Sequence, residues 1–300
     1  MGELSTVLDM AKFVCEKIEK AIGVVFDPFG TKKEAVDQFI AKVKDENLSP
    51  FVEAALISSP RKYIKEYTRQ NNILRLAIEE LNSRKEQPNV RANLETKEVD
   101  EEWLSRFFDS AKHVSNEDLQ LIWGHILANE LSDPGSVPKR LISILPLIEK
   151  KHAEAFMTVC QNSLSEKSLI IPVVDISTDY WKQRNLTLDL LLDLQSLGLI
   201  SYSDLGDYSY INKLSDDDTI ENLFFQCSYS NHTIVIKPTN LKEHQREMEL
   251  VVGSVCFTSA GLALLKAINV EFNTDSLNNI ISTIKKKNPG CKITINENDK

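Results

Sequence analysis

The chain has 300 residues, of which 42% are apolar and 26% are charged, a balance that excludes fibrous, collagen-like and wholly disordered proteins and allows two domains. Acidic residues outnumber basic residues by 44 to 35, which gives a formal charge of −9. A general electrostatic grip on a nucleic-acid backbone is therefore not expected.

The first hundred residues have the pattern of helices. Apolar residues at three-and-four spacing predict amphipathic helices over Leu4–Ile22 and about Lys32–Glu46. Ser58-Ser59-Pro60 places a capping hydroxyl before a proline, which is typical of a helix start, so we expect a long third helix from there to about Arg84. The polar, aperiodic stretch Ser83–Glu98 predicts a connecting loop.

Helices are again predicted from Trp103 to Ser163. A short aromatic-rich helix comes first, and a second one starts near Ser115 with acidic residues in its first turn. Pro134-Gly135-Ser136 ends that helix, and Pro138 opens the next one. Pro146 interrupts it, so a last helix is expected from about Glu149.

The sequence pattern changes after Leu164, where short strand-like runs alternate with helices. A helix over Thr187–Leu197 passes through Gly198-Leu199-Ile200 into a strand, which is typical of a winged-helix unit. We therefore predict a mainly α fold with a C-terminal α+β, winged-helix-like lobe. The predicted divisions are an N-terminal helical region over 1–98, a second helical block over 99–164 and the winged-helix-like domain over 165–300.

Cysteine and histidine usage points to no metal or cofactor. The five cysteines are an odd number without a Cys-x-x-Cys pair, which favours a reducing, cytoplasmic location. The five histidines show no metal-ligand spacing, and no glycine-rich phosphate loop or nucleophile elbow is present. No segment approaches the roughly 18 apolar residues of a membrane span, and no signal-peptide pattern is seen.

Glu130 is the most informative polar residue. Helical spacing places it on the same apolar stripe as Trp123, where a carboxylate needs a partner. Arg140 is the nearest cation beyond the Pro134-Gly135 turn, so we predict a structural Glu130–Arg140 salt bridge whose loss in Arg140→Ala lowers the melting temperature. The alternative is a carboxyl group with a raised pKa in a catalytic cleft.

An amide cluster and a set of aromatic residues each allow a structural and a functional interpretation. The amides of Gln70, Asn71 and Asn72 lie midway along a helix, where an amide network that fixes helix register is favoured over a ligand site. Trp103 and Trp123, with the phenylalanines between them, are at helical spacing and surrounded by acidic residues. This favours a hydrophobic core over a base-stacking surface.

The charge of the winged-helix-like region argues against DNA binding. Between Glu166 and Ile268 there are 8 basic and 14 acidic residues, and the helix Thr187–Leu197 carries two aspartates and no basic residue. Lys285-Lys286-Lys287 is the only run of three basic residues in the sequence, and it is too short to change this balance. The lobe is therefore expected to serve protein interaction or dimerisation.

A resemblance then follows from a specific run of residues. The run is Trp123-Gly124-His125-Ile126-Leu127-Ala128-Asn129-Glu130, followed by Pro134-Gly135-Ser136 and Arg140, with Gln70, Asn72 and Trp103 upstream and Phe257-Thr258 with Gly261 downstream. This pattern resembles the signature of an uncharacterised bacterial family, in which alanine is usual at Gly124 and glycine at Asn129. The helical block is more distantly similar to the abortive-infection alpha proteins, which are associated with defence against phage. The resemblance implies a defence role and no established reaction.

The leading hypothesis is a non-catalytic component of a bacterial antiphage or abortive-infection system that acts through a protein partner or self-association. The alternatives are a winged-helix nucleic-acid-binding regulator, and an enzyme with a site near Glu130. A peripheral membrane effector using Leu4–Ile22 is weakly supported, because the polar face of that helix is not basic.

Overall fold

The computed structural model of the chain describes residues 7–29, 41, 44, 49–84, 88–215, 218–240 and 245–298. The chain divides into two units, one of Met1–Pro146 with Lys266–Ile268 and the other of Leu147–Leu265 with Asn269–Lys300. The boundaries predicted from the sequence fall after residues 98 and 164 instead, and they stay predictions.

All secondary structure described in the first unit is helical. Its helices are α1 (Val7–Ile22), α2 (Pro50–Ser83), α3 (Pro88–Thr96), α4 (Glu101–Ala111), α5 (Glu117–Ser132) and α6 (Lys139–Ile144). The amphipathic pattern of α1 is confirmed, because Met10, Val14 and Ile18 are buried on one face. The helix predicted over Lys32–Glu46 lies almost entirely outside the described residues.

Two predictions in this unit are wrong. Helix α2 begins at Pro50 with Ser49 as its N-cap, so the predicted start at Ser58-Ser59-Pro60 lies inside the helix. The reason is that Ser49-Pro50 carries the same combination of capping hydroxyl and proline earlier in the chain. The loop predicted over Ser83–Glu98 contains α3, whose Leu94 is fully buried, so tertiary burial stabilises a helix that the polar sequence does not announce.

The core of the first unit forms where α4 and α5 pack around aromatic side chains. Phe107 stacks on Trp103 and contacts Trp123 at a tilt of 56°, with ring centroids 5.1 Å apart in both pairs, and all three are buried. These residues are core, as their helical spacing predicted. Helix α5 also approaches α2 closely at Gly124, where an added Cβ would lie 2.8 Å from the Cβ of Leu76.

The second unit combines helices with short antiparallel strands. Its helices are α7 (Lys150–Gln161), α8 (Asp179–Gln183), α9 (Leu188–Leu197), α10 (Ser259–Ala267) and α11 (Thr274–Lys287). Its strands are β1 (Ser163–Glu166), β2 (Leu169–Pro172), β3 (Ile200–Tyr202), β4 (Tyr208–Lys213), β5 (Phe225–Tyr229), β6 (His232–Pro238), β7 (Glu247–Gly253), β8 (Val255–Phe257) and β9 (Cys291–Glu297).

The strands of this unit form three antiparallel groups. A five-stranded sheet has the order β2-β1-β5-β6-β9, and β3-β8 and β4-β7 form separate two-stranded ladders. Alternating residues of β5 and β6 are buried against apolar residues of α11, such as Ile280 and Ile284. A mainly helical chain with an α+β second unit is therefore shown, and the winged-helix assignment stays a prediction.

Candidate functional site

Glu130 lies near the end of α5, facing the turn that joins α5 to α6. Its side chain is 1% exposed. One carboxylate oxygen accepts a hydrogen bond from the backbone N–H of Gly135 at 2.7 Å, and the other accepts from the N–H of Val137 at 2.9 Å. Gly135 has a φ of +88°, a left-handed conformation that favours glycine. The carboxylate thus fixes the shape of this turn.

Trp103 of α4 holds the same turn from the other side. Its indole Nε1 donates to the carbonyl oxygen of Val137 at 2.9 Å, in a buried environment. Both backbone polar groups of Val137 are therefore bonded to buried side chains, one from α5 and one from α4. We call Glu130, Trp103 and residues 133–137 the turn clamp. This arrangement satisfies backbone groups that would be costly to bury without partners.

The electrostatics of Glu130 reflect its burial. Removal from water raises the pKa of its carboxyl group, and the two backbone hydrogen bonds lower it in part. The adjacent cleft has a volume of about 360 Å³ and is lined by Asp100 and Lys139 among others. Lys139 is itself paired with Asp100 at 3.2 Å. Glu130 thus has the raised pKa of an acid catalyst, but its oxygens are turned toward the backbone amides.

The salt bridge predicted between Glu130 and Arg140 is wrong. Arg140 is exposed on α6, and within the described part of the chain it takes part in no ion pair. The cause is that the turn brings its own N–H groups to the carboxylate, so the buried charge is compensated without a cation. Pro134 and Gly135 lie in the turn itself, and the side chains that bond to it are those of Glu130 and Trp103.

The amides of α2 connect it to neighbouring segments. Gln70 Nε2 donates to the carbonyl oxygen of Phe108 at 2.8 Å, and the Asn71 side chain accepts from the Asp27 N–H at 2.9 Å. Asn72 is half-buried, and no hydrogen bond of its side chain is recorded among the described residues. Gln70 and Asn71 therefore fix α2 against other elements, whereas the structure does not bring Asn72 to the turn clamp or to any other candidate residue.

The downstream signature residues build a junction in the second unit. Thr258 Oγ1 donates to the carbonyl oxygen of Gly198 at 2.6 Å and accepts from the N–H of Gly261 at 3.1 Å, which caps α10. An added Cβ at Gly261 would lie 1.9 Å from the carbonyl oxygen of Leu199. The glycine is required because the end of α9 passes directly against the start of α10.

A polar network in the second unit was missed by sequence reasoning. Asn162 is completely buried and donates to the hydroxyl of Tyr180 at 3.1 Å, while Asn279 donates to Asn162 Oδ1 at 3.0 Å. The Tyr180 hydroxyl is also 2.9 Å from Ser276 Oγ. The members come from α8, α11 and the end of α7, and nothing in local sequence announces that these elements meet.

A cleft of about 470 Å³ lies beside this network, between α8 and α11. Arg184 crosses it, with its guanidinium 3.8 Å from the centre of the Tyr180 ring and 3.3 Å from Asp275 Oδ2. Each of these groups is engaged by a neighbour within the unit. The polar side chains of this cleft therefore stabilise the packing of α8 on α11.

The lysine run 285–287 is also used within the fold. Lys286 and Lys287 approach Asp175 Oδ2 at 2.9 and 3.6 Å, and Lys287 also pairs with Asp207 at 2.8 Å. Burial alone would raise the pKa of Asp175, but hydrogen bonds from Ser177 and Lys286 outweigh it and lower the pKa from 3.8 to about 2.

Metal and membrane features are absent from the part of the chain that the structure describes. No group of three or more His, Cys, Asp or Glu side chains is positioned there to hold a metal ion. No helix within the described ranges combines the length and apolar character needed to cross a bilayer.

Comparison with known proteins gives one match. Residues 58–281 match the model of a family described as a protein of unknown function, DUF2806. No curated protein and no solved structure matches the chain. The matched range contains every candidate residue of the turn clamp, the α2 amides and the Thr258 junction.

Proposed function

The chain belongs to the DUF2806 family, and we propose that it is a non-catalytic, partner-binding component of a bacterial antiphage or abortive-infection system. The observation that carries the non-catalytic part is the position of Glu130. Both oxygens of this carboxylate accept backbone hydrogen bonds from the turn, and its side chain is 1% exposed. The residue with the strongest claim to chemistry thus serves a structural purpose.

The partner-binding part rests on the outer face of α9. Leu188 and Leu192 are one helical turn apart and are 46% and 43% exposed, although both are large apolar side chains. Asp189 lies beside them, and the helix has no lysine or arginine. An apolar strip flanked by acidic groups suits a protein surface and would be repelled by phosphate.

The defence role rests on resemblance. The helical block around Trp123 and Glu130 is similar to the abortive-infection alpha proteins, and the turn clamp gives that signature a structural purpose. A protein that acts by association does not need a reaction centre. The location proposed for it is the cytoplasm, which the unpaired cysteines favour.

A nucleic-acid-binding regulator is the second candidate. In favour of a winged-helix plan, α9 leads into β3, which pairs with β8 immediately before α10. The acidic surface of α9 argues against DNA binding through this helix. Salt-dependent binding of duplex DNA that is lost in an α9 variant would favour this candidate over the protein-binding one.

An enzyme with a site near Glu130 is the third candidate. Its support is the raised pKa of Glu130 beside a cleft of about 360 Å³. A Glu130 variant that keeps its stability but loses protection against phage would favour this candidate. Loss of both properties together would support the structural interpretation.

The leading proposal is tested with the double variant Leu188→Glu and Leu192→Glu, and with Leu169→Glu and Leu205→Glu as a matched control. The control leucines are 49% and 96% exposed, so the added charges are tolerated equally well. Cells expressing each tagged, full-length chain are challenged with phage, and assembly size is measured by light scattering during chromatography.

We expect the α9 variant to lose association, seen either as a smaller assembly or as loss of a co-purifying protein. We expect it to lose phage protection as well, while the control keeps both properties. A wild-type chain that is monomeric, retains no protein and gives no phage phenotype would overturn the proposal. Protection that survives in the α9 variant would reject α9 as the contact surface.

A further inference from the structure

Strand β9 forms one edge of the five-stranded sheet in the second unit. It pairs with β6 on one side, and on its other side it meets no strand within the described residues. The strand covers Cys291–Glu297, whereas the opposite edge strand, β2, has four residues and ends in Pro172. Proteins commonly protect the edges of sheets with short strands and with proline, and β9 has neither feature. The longer edge is therefore open to pairing.

The ladder with β6 decides which backbone groups of β9 point away from the sheet. Beside one end of β9, the Thr239 N–H donates to the carbonyl oxygen of Gly290 at 2.8 Å. Beyond the other end, the Asn298 N–H donates to the carbonyl oxygen of Asn231 at 2.8 Å. Along an antiparallel strand, residues alternate between bonding to the neighbouring strand and facing away from it. Even-numbered residues of β9 therefore bond to β6, and odd-numbered residues point their backbone groups toward the open edge.

Three consecutive odd-numbered positions present unused backbone groups at this edge, at Ile293, Ile295 and Glu297. Within the described residues, the N–H and C=O groups of these positions have no protein partner. A row of such groups is a template for another strand, because each N–H and C=O can form a ladder hydrogen bond.

The apolar face of β9 is also incomplete at this edge. Ile295 lies opposite Ile234 of β6, so the two side chains point to the same face of the sheet. Ile234 is fully buried, whereas Ile295 is 43% exposed. Ile293, on the same face, packs against the core of the unit. A strand added beside β9 would therefore extend the core over Ile295.

Strand β9 is complementary to a second copy of itself. A two-fold axis perpendicular to the sheet sets two equivalent strands side by side, antiparallel, with their core faces on the same side. When the axis passes at Thr294, the midpoint of β9, the strands overlap along their whole length. Ile293 then lies opposite Ile295 of the second copy on the core face, twice by symmetry. On the other face Lys292 lies opposite Asn296, so no like charges are paired.

Placing the axis one residue to either side gives a poorer match. With the axis at Ile295, Ile293 would lie opposite Glu297 of the second copy, which sets an apolar side chain against a charge. With the axis at Ile293, Glu297 would extend beyond the paired strand and the overlap would be shorter. The strand therefore favours the register centred on Thr294.

We infer that two copies of this chain pair through β9, antiparallel and centred on Thr294, to form one continuous sheet. Ile293 and Ile295 of each copy exchange backbone hydrogen bonds with their opposite residues, and their side chains cover one another. A strand from another protein would need apolar residues at the same two positions, and the second copy has them by symmetry. The pairing occupies the longer edge of both sheets, so association stops at the dimer.

This inference does not rest on the antiphage proposal, because β9 and α9 are different elements and the pairing requires no other protein. The α9 variant Leu188→Glu with Leu192→Glu is therefore expected to keep the β9 dimer.

The first test measures molecular mass against concentration by sedimentation equilibrium of the full chain. Because a single pair of strands makes a small interface, we expect a reversible equilibrium in which the dimer is well populated at about 200 µM. A chain that stays monomeric at that concentration would overturn the inference. Growth into trimers or larger species would overturn the closed, two-fold pairing.

Ile295→Lys is expected to weaken the dimer about tenfold or more, because a charged side chain replaces an apolar one where the two copies meet. Ile295 is 43% exposed, so the ammonium group can reach water in the monomer. The matched control is Ile211→Lys on β4, where the isoleucine is 56% exposed. It should dissociate within about twofold of the wild type, and an equal effect of both substitutions would reject β9 as the interface.

The register is tested by cysteine cross-linking. In the proposed dimer Thr294 faces its own equivalent in a non-hydrogen-bonded pair, where Cα atoms are about 4.5 Å apart and a disulfide can form. Thr294→Cys should therefore give a covalent dimer under mild oxidation. Asn296→Cys is the control, because its equivalent would lie about 13 Å away along the strands.

The wild type is the second control for cross-linking. Its Cys291 would lie about 20 Å from its equivalent along the strands, so we expect no disulfide between copies. Cross-linking by Asn296→Cys without cross-linking by Thr294→Cys would reject the register. A Thr294→Cys chain that cross-links no more than the wild type would reject the pairing through β9.

Discussion

At the scale of single residues, Glu130 illustrates how a buried charge acquires its role. The α5 stripe places the carboxylate inside the unit, and the following turn supplies two N–H donors at 2.7 and 2.9 Å. Hydrogen bonds to a charged group are stronger than those between neutral groups. Removal of the acceptor would leave two backbone donors without partners in a dry environment.

Glu130→Gln is expected to lower the free energy of unfolding by about 2 kcal/mol, because an amide can offer only one acceptor oxygen to the two N–H groups. Denaturation in urea measures this change. Arg140→Ala is the matched control on the neighbouring helix, and we expect a change within about 0.5 kcal/mol. A large loss in Arg140→Ala with no loss in Glu130→Gln would restore the salt bridge predicted from the sequence.

Asp175 provides a prediction about pH. Its pKa is lowered from 3.8 to about 2 in the folded chain. A lowered pKa means that the ionised form is favoured by folding, so the contribution is full above about pH 4 and is lost as the pH falls toward 2. Asp175→Asn should therefore cost about 1 kcal/mol at pH 7, after discounting for solvent screening of Lys286.

The measurement is the difference in unfolding free energy between wild type and Asp175→Asn across pH 7 to 2. We expect the difference to shrink below pH 4. Asp179→Asn is the control, since that carboxylate is 83% exposed. A difference that stays constant over the whole range would contradict the assignment of the ion pair.

At the scale of elements, the junction between α9 and α10 depends on close approach. Gly261 lies inside a helix, where alanine is ordinarily favoured by up to about 1 kcal/mol. Here the added Cβ would lie 1.9 Å from the carbonyl oxygen of Leu199, so the backbone must move. The steric effect and the helix propensity therefore act in opposite directions.

Gly261→Ala is expected to destabilise the chain by about 3 kcal/mol, because overpacking against backbone is not relieved by a change of rotamer. Thermal melting measures it. Gly206→Ala is the control, since nothing lies within 4 Å of an added Cβ there. If Gly261→Ala melts at or above the wild-type temperature, the close contact is not present in solution.

The elements also show how far local sequence is informative. The periodicity of α1, α4 and α5 is local, and these helices were predicted. The cap of α5 is Asn116, one residue after the predicted Ser115. Helix α3 was missed because its sequence is polar, and its stability comes from burying Leu94. The start of α2 was misplaced because two Ser-Pro pairs compete and local chemistry does not choose between them.

At the scale of the whole molecule, charge is unevenly distributed. The chain is acidic overall, but α2 carries unpaired cations on one face and α9 carries apolar and acidic groups. Composition reports only the sum. The two helices therefore differ in local charge, although the chain total is acidic.

The state of the five thiols gives a prediction for the chain as a whole. All five cysteines are free, so reducing agent should leave the melting temperature unchanged. Cys160 and Cys227 are 1% and 0% exposed, and burial raises the pKa of Cys227 to about 12. Both should react with a thiol reagent only as fast as the chain unfolds. Rapid labelling of all five thiols in the native state would contradict this burial.

The sequence by itself determined the helical character of the first part of the chain, the change of texture near residue 164 and the core role of the aromatic residues. These follow from periodicity and capping, which are properties of neighbouring residues. Only the tertiary structure decided that Glu130 bonds to the turn and not to Arg140, that Trp103 holds Val137, and that Asn162 joins Asn279. The physical reason is that a buried polar group takes whichever partner the folded backbone brings within hydrogen-bond distance, and residues as far apart as 162 and 279 meet only in the fold.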